Sequence, residues 1–226
     1  MKNKSFLISC IMCSSLMLPA YADRVVISSG AEYSVSSVIE NEVNTSSSPS
    51  GYGGAIFNLG TLETTSGAEF NSNQGYMGGA IFNYSNSTAT ITDTNFSQNS
   101  AAGPGGAIYN YTNASLIITN SVFDENKSSQ AYGGAVYNAG TAEITGSSFT
   151  NNTAYSNGGA IYSSGSATIT DSAFTSNTVS GSGGAVYNGS SATKLTITNS
   201  TFKNNTAATY GGAIFNAAAD TVLPHI

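Results

Sequence analysis

Gly53-Gly54-Ala55-Ile56-Phe57-Asn58 is the stretch that decides how this chain folds, because the pattern keeps returning: at 78–83, 105–110, 133–138, 158–163, 183–188 and 211–216. The seven copies start 25, 27, 28, 25, 25 and 28 residues apart. A second signature, Phe-x-x-Asn, runs between them at Phe70/Asn73, Phe96/Asn99, Phe123/Asn126, Phe149/Asn152, Phe174/Asn177 and Phe202/Asn205. Five residues before the last five of these Phe stands an Ile, at 91, 118, 144, 169 and 197, each inside a T-I-T-like run. A fixed period with two landmarks is the mark of a repeat architecture.

Residue types choose between helices and strands. Each unit consists of short runs of Ile, Val, Thr, Tyr and Phe, broken by Gly, Asn, Asp and Ser, with no helix-forming run of useful length. Leucine is too scarce for a leucine-rich repeat, and no Asp follows Gly-Gly-Ala as a calcium roll would need. The expectation is therefore an all-β parallel β-helix of about seven coils. Each coil would hold about three short strands and three turns, stacked at roughly 4.8 Å into a rod about 30–35 Å long.

Comparison between copies orients the slots. The Phe of Phe-x-x-Asn is never Tyr, which fits a dry inward site, and the slot after Gly-Gly-Ala is always Ile or Val. The next position faces the other way. It reads Phe57, Phe82, Tyr109, Tyr137, Tyr162, Tyr187, Phe215, an outer and partly wet aromatic stack. The Asn that closes this strand is expected to form a ladder of amides from coil to coil, at a turn that visits the left-handed region.

Composition narrows the function. The 226 residues are 40% hydrophobic but only 8% charged, against about a quarter in ordinary domains. Lys2 and Lys4, the apolar run Phe6–Leu18 and Ala20-Tyr21-Ala22 read as a signal segment over 1–22. The remaining chain then carries four basic residues against twelve acidic ones, a net charge of −8. No basic patch is left to neutralise phosphates, which argues against nucleic-acid binding. Cys10 and Cys13 both lie in the signal segment, so the exported chain has no thiol. Residues 23–50 are expected as an irregular N-terminal cap with a strand over 24–28, 51–216 as the β-helix, and 217–226 as an uncapped tail. An open last coil would fray or self-associate.

The pairing of GGA[I/V] with FxxN behind a signal segment resembles the polymorphic outer membrane proteins and related autotransporter passenger domains, over 53–216, or 164 of 226 residues. The resemblance implies a right-handed β-helix displayed at a Gram-negative cell surface, often as an adhesin for a host-cell or bacterial receptor or glycan. A chain without thiols also suits threading across an outer membrane. Autotransporters end in a membrane β-barrel, whereas only residues 217–226 follow Asn216 here. The expectation is a truncated or split passenger, or a secreted solenoid, whose membrane contact depends on a barrel outside this chain.

Catalysis is weighed against turn chemistry. Three residues before the Phe stand Asp93, Asn120, Gly146, Asp171 and Asn199, an exchange typical of turns. The two Asp would be three coils, roughly 14 Å, apart, too far for a glycosidase pair. Asp124-Glu125 beside Lys127 reads as a solvated turn. His225, the only histidine, has no partner for a triad or a metal site. The reading is thus non-catalytic, without cofactor or metal. A polysaccharide-acting enzyme or a non-functional autotransporter fragment is the alternative. The candidate binding residues are Tyr109, Tyr137, Tyr162 and Tyr187, four consecutive rungs of the outer stack.

Overall fold

A computed structural model of the chain describes residues 24–40, 43–44, 51–192 and 194–218. The expected signal segment, His225 and most of the 217–226 tail lie outside the described residues. The described chain is a parallel β-solenoid with no α-helix. One eight-stranded sheet and three seven-stranded sheets run the length of the rod.

Each coil has four strands rather than the expected three. In the fifth coil they are Val136–Asn138, Thr141–Thr145, Ser148–Thr150 and Thr153–Ala154. The fourth strand is two residues long, too short to show any alternation. Only backbone pairing with the coils on either side defines it, as in Lys127↔Thr153 and Thr153↔Thr178.

Residues 25–40 and 43–44 add a further coil, in which the strand expected over 24–28 is present as Val25–Ile27. Val25–Ile27, Glu32–Val35, Val38–Glu40 and Val43–Asn44 each extend one of the four sheets. This coil lacks both signatures, yet Val25 pairs with Ile56 and Ile39 with Phe70, so β-branched residues fill the same slots. The solenoid therefore has seven complete coils. The seventh Gly-Gly copy contributes one more strand, Ile214–Asn216, to the first sheet. Beside it Ile197, Phe202 and Ile214 are only partly buried.

Facing positions agree with the copy-to-copy comparison. Phe70, Phe96, Phe123, Phe149 and Phe174 are fully buried. With Phe202 they form one column, centroids 4.7–4.9 Å apart and rings within 1–6° of parallel. Ile56, Ile81, Ile108, Val136, Ile161 and Val186 form a second inward column. The pair Gly133-Gly134 shows why two glycines precede it. Gly133 has φ +67°, and a Cβ on Gly134 would lie 2.0 Å from the Gly159 carbonyl oxygen of the next coil. The first glycine makes the turn and the second lets the coils touch.

Two asparagine ladders close the polar interior. At the end of the first strand Asn58, Asn83 and Asn110 each donate through Nδ2 to the Oδ1 of the next Asn, at 2.7–2.8 Å. In the second ladder Asn73, Asn99, Asn126, Asn152 and Asn177 each donate through Nδ2 to the next Oδ1 at 2.9–3.0 Å. Each next Oδ1 also accepts the backbone N–H of the preceding Asn at 3.0 Å. The first-ladder Asn are not themselves left-handed, contrary to expectation, although Asn86 and Asn113 are, in the turns three residues after Asn83 and Asn110. Further left-handed residues fall one residue before each Asn of Phe-x-x-Asn, at φ 55–57° from Ser72 to Asn204, and at Asp93, Asn120, Gly146, Asp171 and Asn199. Amide ladders of the first kind need only a strand end, so the side chain and the αL turn are separate requirements.

The first ladder has one fault. Ser163 stands where the neighbouring coils have Asn. It accepts from Asn138 at 3.1 Å but leaves the buried Oδ1 of Asn188 without a partner. Ser163→Asn restores the donor, and its turn has the same length as the one after Asn138. The expected gain is about 1 kcal/mol, read as a rise in Tm of about 2–4 °C. A fall in Tm would show that the site cannot hold the longer amide.

Candidate functional site

Strand alternation on the first sheet carries the four candidate tyrosines to its outer face, one per coil. Tyr109 pairs with Tyr137, Tyr137 with Tyr162 and Tyr162 with Tyr187. Their rings stack at 4.7, 5.1 and 5.1 Å, 20°, 4° and 7° from parallel. Phe57 and Phe82 continue the column at one end and Phe215 at the other.

The column is not uniformly wet, and here the sequence expectation needs correcting. Phe82 is 0% and Tyr109 8% exposed, whereas Tyr137, Tyr162 and Tyr187 are half-buried. The cause sits two residues after each ring, where the chain leaves the strand. That slot holds Leu59, Tyr84 and Tyr111 on the second to fourth coils, and Ala139, Ser164 and Gly189 on the fifth to seventh. Tyr84 and Tyr111 stack on each other at 5.3 Å and lie 6.0–6.2 Å from the Phe82 ring. With Tyr52, 4.8 Å from Phe82 on the other flank, they wall in the column. A groove of about 540 Å³ remains there, lined by aromatic rings, Leu59 and Met77. Arg24 lies over Phe57 at 5.1 Å.

On the fifth to seventh coils the side of the wall built by Leu59, Tyr84 and Tyr111 is gone, while Tyr132 keeps on the fifth coil the flank that Tyr52 holds on the second. The residue before Gly-Gly is Tyr132, Asn157 and Ser182 in turn, with Tyr210 next. Tyr132 leans against Tyr162 at 4.8 Å and 38°, and Tyr210 against Phe215 at 5.8 Å. Three of the four candidates thus share one accessible strip, and Tyr109 belongs to the covered part. The x-Ala/Ser/Gly against x-Tyr/Leu contrast two residues on was the signal in the sequence that separates them.

Burial, reinforced by Tyr137, Tyr187 and Tyr132, pushes the Tyr162 phenol up to about 12. Burial, with Tyr137, Tyr111 and Tyr52, raises Tyr109 as well. Both phenols are therefore neutral hydroxyls at physiological pH. Their stabilising contribution is complete below pH 10.0, the ordinary phenol value, and is lost as pH rises through the folded value. An alkaline titration followed by tyrosinate absorbance should retain a component ionising near pH 12. Tyr162→Phe should remove that component.

The carboxylate slots are turns. Asp93 and Asp171 both have left-handed φ, and Asn199 donates to the Asp171 carboxylate. Asp124 accepts from Asn151 at 3.3 Å and Glu125 from Gln98 at 2.9 Å, both exposed contacts between coils. Among the described residues no group of three or more His, Cys, Asp or Glu is placed to hold a metal ion. No helix among them is long and apolar enough to cross a membrane.

The family model for the right-handed β-helix region matches residues 61–223. No curated protein and no solved structure matches the chain.

Proposed function

Because this chain belongs to the right-handed β-helix family, we propose that it is an exported passenger, displayed at the cell surface or secreted, that attaches to other surfaces without catalysing a reaction. The observation that carries this reading is the open strip of Tyr137, Tyr162 and Tyr187 on a rigid rod. Solenoids use such long faces for binding, and Tyr offers a large apolar body with a polar tip at low entropic cost. The paired GGA[I/V] and FxxN signatures, the signal segment and the lack of thiols in the exported chain support an autotransporter-like route.

The test has two arms. The full chain expressed in a Gram-negative host is expected to lose residues 1–22 and leave the cytoplasm; retention of the unprocessed chain inside would defeat the export reading. The purified exported chain is expected to bind host cells or sister bacteria. Replacing Tyr137 and Tyr162 with Ser in a chain that still folds is expected to reduce that binding at least tenfold. Unchanged adhesion would move the site off this strip, to the turns around Asp124 and Asn157.

A further inference from the structure

We infer that the strip over the fifth to seventh coils seats an uncharged, extended polysaccharide lying along the rod axis; this rests on the attachment reading above and names its ligand. Three features of the strip select that chemistry.

The first is which part of each ring is available. Tyr137, Tyr162 and Tyr187 are stacked at 5.1 Å and nearly parallel, so each ring face is covered by the next. Solvent meets ring edges and phenol tips. A planar aromatic ligand therefore finds no face to stack on, whereas a ligand rich in hydroxyls finds a row of donors and acceptors. The Tyr137 hydroxyl has a long contact, 3.4 Å, to the Ser164 Oγ.

The second is the repeat. Ring centroids recur every 5.1 Å along the column, each ring carrying one phenol hydroxyl. Same-face side chains of an extended peptide recur at about 6.6 Å and lose step within two rungs. In an extended β-1,4-linked hexopyranose chain each sugar advances by close to one rung and is turned over relative to the last, so Tyr137 and Tyr187 meet the same sugar edge and Tyr162 the opposite one. An α-helix repeats every ~5.4 Å, but it docks through apolar anchors in a dry groove. The rims here are Ala139, Ser164 and Gly189 on one side and Tyr132, Asn157 and Ser182 on the other, Tyr132 being the only large ring among them.

The third is charge. No Asp, Glu, Lys or Arg occupies the three rungs or the two flanking slots on these coils. A charged ligand group would lose its hydration there with nothing to compensate. The acidic chain as a whole also repels polyanions. Neutral sugars meet neither obstacle.

The experiment rebuilds the missing wall instead of removing the tyrosines. Ala139 and Ser164 occupy the slot that Tyr84 and Tyr111, respectively, fill two coils earlier, so Ala139→Tyr/Ser164→Tyr suits the fold and would cover the strip. Affinity electrophoresis and calorimetry of the exported chain would use cellohexaose, chitohexaose and hydroxyethylcellulose, with polygalacturonate and an extended Ser/Thr-rich peptide as contrasts. The expected result is binding of the neutral β-1,4 glycans but of neither contrast. Affinity should rise with chain length up to about three sugars. It should fall at least tenfold in the double variant at unchanged Tm. If the double variant unfolds, Ala139→Leu alone serves, since Leu59 fills that slot on the second coil, and its expected effect has the same sign. Failure of every neutral glycan to bind, or binding undiminished by a folded wall variant, would overturn the proposal. Should the chain still adhere to cells in that event, attachment survives while this ligand does not. Preferential binding of the peptide would likewise replace the sugar with a protein partner.

Discussion

Phe123→Ala is expected to destabilise the solenoid by about 3–5 kcal/mol, the usual range for emptying a buried Phe site. The ring has no exposed surface and lies 4.7 Å from both Phe96 and Phe149, 1° and 4° from parallel. Truncation leaves a void in the middle of a column, and the rings on either side each lose a stacked partner. Neighbouring coils hold the backbone at the inter-strand spacing, so the gap cannot close by moving one coil. Tyr137→Phe is expected to be nearly neutral, because its slot holds Phe in three of the seven copies and its contact to Ser164 is long. Denaturant melts of the two variants decide the matter. The opposite ranking would mean that the inner and outer columns have been exchanged.

Asn126→Leu is expected to cost about as much, roughly 3–5 kcal/mol, by a different route. Leucine nearly preserves the volume, so no large cavity forms. What is lost is a set of four buried bonds made by one amide. Oδ1 accepts from the Asn99 N–H and Nδ2, both at 3.0 Å, and Nδ2 donates to the Phe96 carbonyl at 2.9 Å and the Asn152 Oδ1 at 3.0 Å. The Asn99 N–H is left bare in the interior, at about 1–3 kcal/mol, and the Phe96 carbonyl, the Asn99 Nδ2 and the Asn152 Oδ1 each lose one bond of about 1 kcal/mol. Hydrogen exchange supplies the specific readout, since the Asn99 amide should lose protection before the rest of its coil. A loss below 1 kcal/mol with that amide still protected would show that the ladder does not hold the turn.

Much of this architecture is legible in single positions. Phe against Tyr at the inward slot marks dryness, because a phenol there would lack a partner. The exchange of Asp, Asn and Gly at positions 93, 120, 146, 171 and 199 marks a left-handed turn, and their φ of 47–61° agrees. The turn before Asn126 was not legible. Its left-handed residue is Ser, Gln, Glu or Asn in different coils, and the strain is held by the ladder beside it rather than by the residue's own preference.

The candidate site divides in the same way. Alternation along one strand suffices to put Tyr109, Tyr137, Tyr162 and Tyr187 on one face. Whether each is wet depends on what the neighbouring coils and the following turn place beside it, and this is why Tyr109 lies under Tyr111 while Tyr162 opens beside Ser164.

By itself the sequence determined the solenoid, the inward columns and the existence of an amide ladder, because a repeat near 26 residues forces equivalent side chains into register. Only the tertiary structure decided that residues 25–40 and 43–44 add a coil, that each coil has a fourth strand, and where the aromatic column is open. Strands of two residues such as Thr153–Ala154 carry no pattern of their own; they exist because backbone groups above and below need partners. Exposure likewise belongs to no single residue, since it is set by the neighbours that folding brings alongside.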